Sequence, residues 1–140
     1  MKTAIVFWSG TGNTEAMAQA VAEGAEASGA QVNVLTCDKF NESMIDDYDS
    51  IAFGCPSMGA EQLEEDEFDP MFSACVPKLG GKKIALFGSY GWGDGEWMRN
   101  WQEECESAGA VLTSEPVICN DAPDDEAVAA CKALGKSLIN

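Results

Sequence analysis

The sequence predicts a doubly wound α/β fold, a five-stranded parallel sheet with helices on both faces. Short apolar runs alternate with longer helical stretches along the whole chain, the pattern of strands joined by crossover helices. Several of those runs are apolar at every position, as strands covered on both faces must be. At 140 residues the chain is the size of one domain, and it shows no linker, repeat or low-complexity tract.

Taken in order, residues 3–7 (TAIVF) form a buried strand rich in β-branched side chains. Residues 15–28 form a helix with Met17, Val21 and Ala25 on one face, stopped by Gly29. Residues 31–35 (QVNVL) alternate apolar and polar and read as an edge strand. Residues 37–49 hold at most a short helix. Residues 50–54 (SIAFG) and 83–88 (KIALFG) are solid apolar strands, and 66–79 is a helix with Pro70 in its first turn, where proline is tolerated. Residues 96–108 carry Trp97, Met98 and Trp101 on a helix that stops at Gly109. A fifth strand lies within 111–119, bent or broken near Pro116, and 124–138 closes the chain as a helix with Val128, Cys131, Leu134 and Leu138 on one stripe.

Charge and composition exclude whole classes of function. There are 24 acidic and 8 basic residues, a net charge of −16. Such a polyanion has no cations with which to displace the counterions of a nucleic acid, and an anionic membrane repels it. Its natural partner is a basic surface. Histidine is absent, which removes Ser-His-Asp hydrolysis, Cys-His proteolysis and imidazole acid–base chemistry. The six cysteines, Cys37, Cys55, Cys75, Cys105, Cys119 and Cys131, form no CxxC pair. No secretory segment leads the chain, so reduced thiols and a cytoplasmic location are expected.

Ligands of doubly wound sheets sit beyond the carboxyl ends of the strands. The first strand runs into Trp8-Ser9-Gly10-Thr11-Gly12-Asn13-Thr14. Two glycines allow a tight turn, Ser9, Thr11 and Thr14 offer hydroxyls, Asn13 offers an amide, and a helix N-terminus follows. No lysine follows as in a P-loop, and Glu15 stands where a dinucleotide fingerprint needs its third glycine. A terminal phosphate monoester held by neutral donors suits the segment. The third strand ends in Cys55-Pro56-Ser57-Met58-Gly59-Ala60-Glu61, the fourth in Ser89-Tyr90-Gly91-Trp92-Gly93. Met58 and Trp92 would give a flat apolar ring two walls.

Residues 9–14 as SGTGNT, 55–59 as CPSMG and 82–95 as KKIALFGSYGWGDG resemble a short-chain bacterial flavodoxin of the clostridial type, and the likeness spans essentially the whole chain. The resemblance implies strand order 2-1-3-4-5 and non-covalently bound flavin mononucleotide (FMN). It places Ser9, Gly10, Thr11, Gly12, Asn13 and Thr14 around the phosphate, and Met58 and Trp92 on the two faces of the isoalloxazine ring. It gives Glu61 the ring N3–H, and Gly59 the N5–H that forms on one-electron reduction, through a turn over Met58-Gly59-Ala60-Glu61. Ser89, Tyr90 and Gly91 fall along the ring edge and ribityl chain, with Asn120 near the ring, and Ser57 and Gly93 are further cofactor-binding candidates. Pro56 and Ala60 depart from some relatives, which carry a serine at the first and a glycine or aspartate at the second.

The function so implied is a low-potential one-electron carrier, monomeric, serving basic-surfaced redox enzymes such as a 2-oxoacid oxidoreductase, a hydrogenase or a flavodoxin/ferredoxin reductase. Six acids lie between Glu61 and Asp69, and Asp121, Asp124, Asp125 and Glu126 add another cluster. Placed at the flavin end, they would oppose the second electron and steer partners. An NAD(P)H-dependent FMN or quinone reductase is the alternative on this fold, but Arg99 is the only arginine available to such a nucleotide. A phospho-receiver would need an aspartate where Cys55-Pro56 stands.

Overall fold

The computed structural model describes residues 1–59 and 61–139. Its strands are β1 (Lys2–Phe7), β2 (Gln31–Thr36), β3 (Ser50–Gly54), β4 (Lys83–Tyr90), β5 (Val111–Leu112) and β6 (Val117–Asn120). Its helices are α1 (Asn13–Ala27), α2 (Phe68–Cys75), α3 (Glu96–Ser107) and α4 (Asp125–Ser137). All pairings are parallel, in the order β2-β1-β3-β4-β5, with β6 also on β4.

The break expected near Pro116 divides the fifth position of the sheet in two. On one edge of β4, the carbonyls of Ile84 and Tyr90 accept from Thr113 N–H (3.0 Å) and Asp121 N–H (2.8 Å). On its other edge, Phe87 and Ser89 carbonyls accept from Cys55 and Ser57. Strands β5 and β6 therefore share one edge, interrupted where Pro116 has no N–H to give.

Solid apolar strands serve two cores at once. In β1, Ala4 and Val6 face α2 and α3, whereas Ile5 and Phe7 face α1 and α4. The first core centres on Trp101, whose ring meets Phe68 and Phe72 edge-on at 5.5 Å from each. The second is narrow, because the helices that cover it cross at glycines. Gly24 of α1 abuts the Lys132 carbonyl of α4, and Gly135 of α4 abuts the Val21 carbonyl of α1.

Glycine stops end two helices as expected. Gly29 (φ +98°) and Gly109 (φ +84°) take the left-handed position. The N–H groups of Ala30 and Ala110 then reach back to the Ala25 and Cys105 carbonyls, closing Schellman motifs. Helix α2 is shorter than the expected 66–79. It starts at Phe68 and gives way after Cys75 to a 3₁₀ turn over Val76–Lys78, since Pro77 supplies no N–H to continue the α ladder. Residues 37–49, read as at most a short helix, form 3₁₀ turns at Cys37–Lys39 and Glu42–Asp47. No helix among the described residues is long and apolar enough to cross a membrane.

Candidate functional site: a phosphate loop and a ring cleft

A cleft of about 230 Å³ opens beyond the carboxyl ends of β1, β3 and β4. From the loop after β1 it is lined by Ser9, Gly10, Thr11, Asn13 and Thr14, from that after β3 by Pro56, Ser57 and Met58, and from the end of β4 by Ser89, Tyr90 and Gly91. Eleven of the residues singled out in the sequence thus line one cavity.

The loop after β1 is preorganised by its own backbone. Gly12, at φ +96°, turns the chain into α1, a conformation an L side chain resists. Ser9 Oγ accepts the N–H groups of Gly12 (3.1 Å) and Glu15 (3.3 Å). Its own hydroxyl proton remains to be donated. Thr14 is 1% exposed, and its Oγ1 has no hydrogen-bond partner among the described residues. A buried hydroxyl without a partner costs about 1–3 kcal/mol. Its place in the first turn of α1, at the helix N-terminus, is one that favours an anion. The loop thus fits a phosphate that accepts from neutral donors.

Of the other predicted residues, Gly12, Gly59, Glu61, Trp92, Gly93 and Asn120 do not line the cleft. Trp92 stands 62% exposed between Gly91 and Gly93. Met58 and Gln62 pair through both backbone groups (2.8 and 2.9 Å), closing a small hairpin over Gly59 (φ +51°) and Glu61 (φ +52°). Ala60, and with it the type of the Met58–Glu61 turn, lies outside the described residues. Glu61 reaches across to the next loop, where Oε1 accepts the Asp94 N–H at 3.1 Å. It packs so closely on Gly93 (φ +86°) that a Cβ there would meet Oε1 at 2.1 Å. Asn120 donates through Nδ2 to the Tyr90 carbonyl (3.3 Å) and lines a neighbouring groove instead.

Two lining residues were missed. Trp8 reads as the end of an apolar strand, yet its ring is half-buried against the loop. Asp121 reads as one acid among several, yet it follows β6 at the same sheet end. It holds φ +57°, which aspartate tolerates. Its N–H bonds the Tyr90 carbonyl, and its own carbonyl accepts the Ser89 hydroxyl at 2.6 Å. Ser89 therefore spends its proton on shaping the site.

The acidic run between Glu61 and Asp69 is also not a uniform solvated face. Glu64 is buried, 5% exposed, and its carboxylate accepts three backbone N–H groups at 2.8 Å, from Asp66, Glu67 and Phe68. Burial pushes its pKa up, but the three donors outweigh burial and hold it below the usual carboxylate range. Exposed Arg99 is engaged by Asp94, to both the carboxylate and the carbonyl at 3.1 Å. All six cysteines are free thiols, and five are buried. Burial raises Cys37 and Cys75 to about 11 and Cys105 and Cys131 to about 12, so they are poor nucleophiles.

Sheet order and cleft define a doubly wound α/β protein whose ligand site lies beyond the carboxyl ends of its strands. Comparison with known proteins narrows this. The family model described as flavodoxin matches residues 5–134. The flavodoxin of Clostridium beijerinckii is 46% identical over 97% of this chain and 98% of its own. That of Megasphaera elsdenii is 44% identical over 95% of each. The solution structure of two-electron reduced Megasphaera elsdenii flavodoxin superposes with a TM-score of 0.90 and covers 98% of both chains. A flavodoxin structure from the domain Archaea gives 0.86 at 28% identity, covering 99% of this chain and 96% of its own. The chain belongs to the flavodoxin family, in its short-chain clostridial type. It is an FMN-binding electron carrier rather than an enzyme, which sets the reductase alternative aside.

Proposed function

We propose that the chain works as a single-domain, monomeric, cytoplasmic low-potential carrier, with the cleft between the loops after β1, β3 and β4 as its FMN site. The observation that carries this reading is Thr14, a buried hydroxyl left without a partner among the described residues, in the first turn of α1. Ser9, Gly10, Thr11, Gly12, Asn13 and Thr14 would hold the phosphate. Pro56, Ser57, Met58, Ser89, Tyr90 and Gly91 would form the floor and one wall for the ribityl chain and ring. Trp92, on its glycine-flanked loop, is free to supply the other wall, with Gly59, Ala60, Glu61, Gly93 and Asn120 around the rim.

Bound FMN supplies two successive one-electron steps. The protein's part is to set their energies and choose the partner. Glu61, Glu65, Glu67, Asp94 and Asp121 stand on loops at the cleft's end of the sheet. A unit charge at ~10 Å contributes roughly 0.4 kcal/mol even in water. For one electron, a tenfold change in equilibrium is about 59 mV, so several such charges lower the second potential substantially. The same field draws in redox enzymes with basic docking surfaces (2-oxoacid oxidoreductases, hydrogenases or flavodoxin/ferredoxin reductases), raising encounter rates about ten- to a thousandfold at low salt.

Thr14→Val tests the phosphate loop. Valine keeps the shape and removes the unpartnered hydroxyl. The flavin-free variant should be more stable by about 1 kcal/mol. It should bind FMN about tenfold more weakly, while riboflavin, which has no phosphate, binds as before. Urea denaturation and flavin titration read both effects. Equal losses for the two ligands, or a less stable protein, would show that Thr14 serves packing alone.

A further inference from the structure

The acidic segment after Glu61 makes a contact that its charge alone does not account for. Trp8 Nε1 donates to Glu67 Oε1 at 3.2 Å. The indole of Trp8 lies directly beneath Gly10 of the phosphate loop, where a Cβ would come within 3.0 Å of Cη2. Glu67 stands at the N-terminal boundary of α2, the usual place for a side chain that caps its own helix, but it makes no capping bond. That service falls to Glu64, which accepts the N–H groups of Asp66, Glu67 and Phe68 and so fixes the backbone from which Glu67 reaches out. Glu64 is in turn tied to the end of β3, its N–H pointing at Cys55 Sγ (3.4 Å).

We propose that Glu67 is a positioning residue for the phosphate loop. Through the charge-assisted bond to Trp8, it fixes the platform on which Gly10 rests and holds the loop's donors where a phosphate monoester meets them. The inference rests on the reading of the loop as the FMN phosphate site. Both partners are accessible to water, so the bond is a modest one. Its effect should fall on the phosphate and not on the ring, because the indole touches the loop at Gly10.

Charge and geometry make opposite predictions here. If Glu67 acted only as a negative charge, removing it would favour an anionic phosphate, and Glu67→Gln and Glu67→Ala would both tighten FMN. If it acts through Trp8, the amide oxygen of glutamine still accepts the indole N–H, and alanine cannot. The experiment titrates flavin-free protein with FMN and with riboflavin, for the parent, Glu67→Gln, Glu67→Ala, Trp8→Phe and the Trp8→Phe/Glu67→Ala pair. Trp8→Phe keeps an aromatic ring and loses the N–H.

The FMN-over-riboflavin preference should shrink about fivefold in Glu67→Ala and in Trp8→Phe. It should stay at or above the parent's in Glu67→Gln, and the double variant should be no worse than either single one. Glu67→Ala behaving like Glu67→Gln, additive losses in the pair, or equal losses for the two flavins would overturn the proposal. A parent that binds both flavins equally would overturn the phosphate-site reading itself, and this inference with it.

Discussion

Gly135→Ala should destabilise the protein by about 3 kcal/mol, at the upper end of what overpacking a core costs. Alanine is intrinsically better than glycine inside a helix by roughly 0.5–1 kcal/mol, so the sign depends on space. There is none. A Cβ on Gly135 would lie 2.0 Å from the Val21 carbonyl oxygen and 2.9 Å from the Ala25 nitrogen. These are backbone atoms of α1, and no rotamer relieves the clash. Gly24 meets the Lys132 carbonyl at 2.0 Å from the other side, so helices α1 and α4 would have to part. Because α1 begins in the phosphate loop, FMN affinity should fall as well. A urea midpoint equal to the parent's would mean that the two helices are not held this close.

Glu64→Ala should cost a similar amount, about 3 kcal/mol, because it leaves three N–H groups in a partly buried turn without their acceptor. The parent should show the corresponding pH dependence. The folded pKa of Glu64 lies below its unfolded value, so its contribution is fully present above the unfolded pKa, near 4.5. It is lost as pH falls through the depressed folded value. Glu64→Gln should behave like the acidified parent, since an amide can accept only through one oxygen and turns an NH₂ toward other donors. Chemical denaturation between pH 7 and pH 3, compared across the three proteins, reads this. A parent and a Glu64→Gln variant that lose stability in parallel on acidification would show that other carboxylates carry the effect.

Elements whose cause is local were legible in the sequence. The solid runs in β1, β3 and β4, the glycines ending α1 and α3, and the loop donors after β1 each follow from a few neighbouring residues. What escaped depends on where distant segments meet. Glu64 looks like any member of an acidic run, because composition does not distinguish a solvated carboxylate from one folded back onto its own turn. Trp8 follows directly on the apolar run of β1, and only the fold brings Gly10 over its ring and Glu67 to its nitrogen. Asp121 belongs to the site because β6 ends beside Tyr90, a register no local pattern discloses. The early end of α2 was readable in Pro77, which has no N–H with which to continue the helix.

The most direct test of the carrier account is a spectroelectrochemical titration of the FMN-loaded protein at low and high ionic strength. The account predicts two separate one-electron steps, the second well below that of free FMN and rising as salt screens the acids around the cleft. A single two-electron step at the potential of free FMN, unmoved by salt, would contradict it.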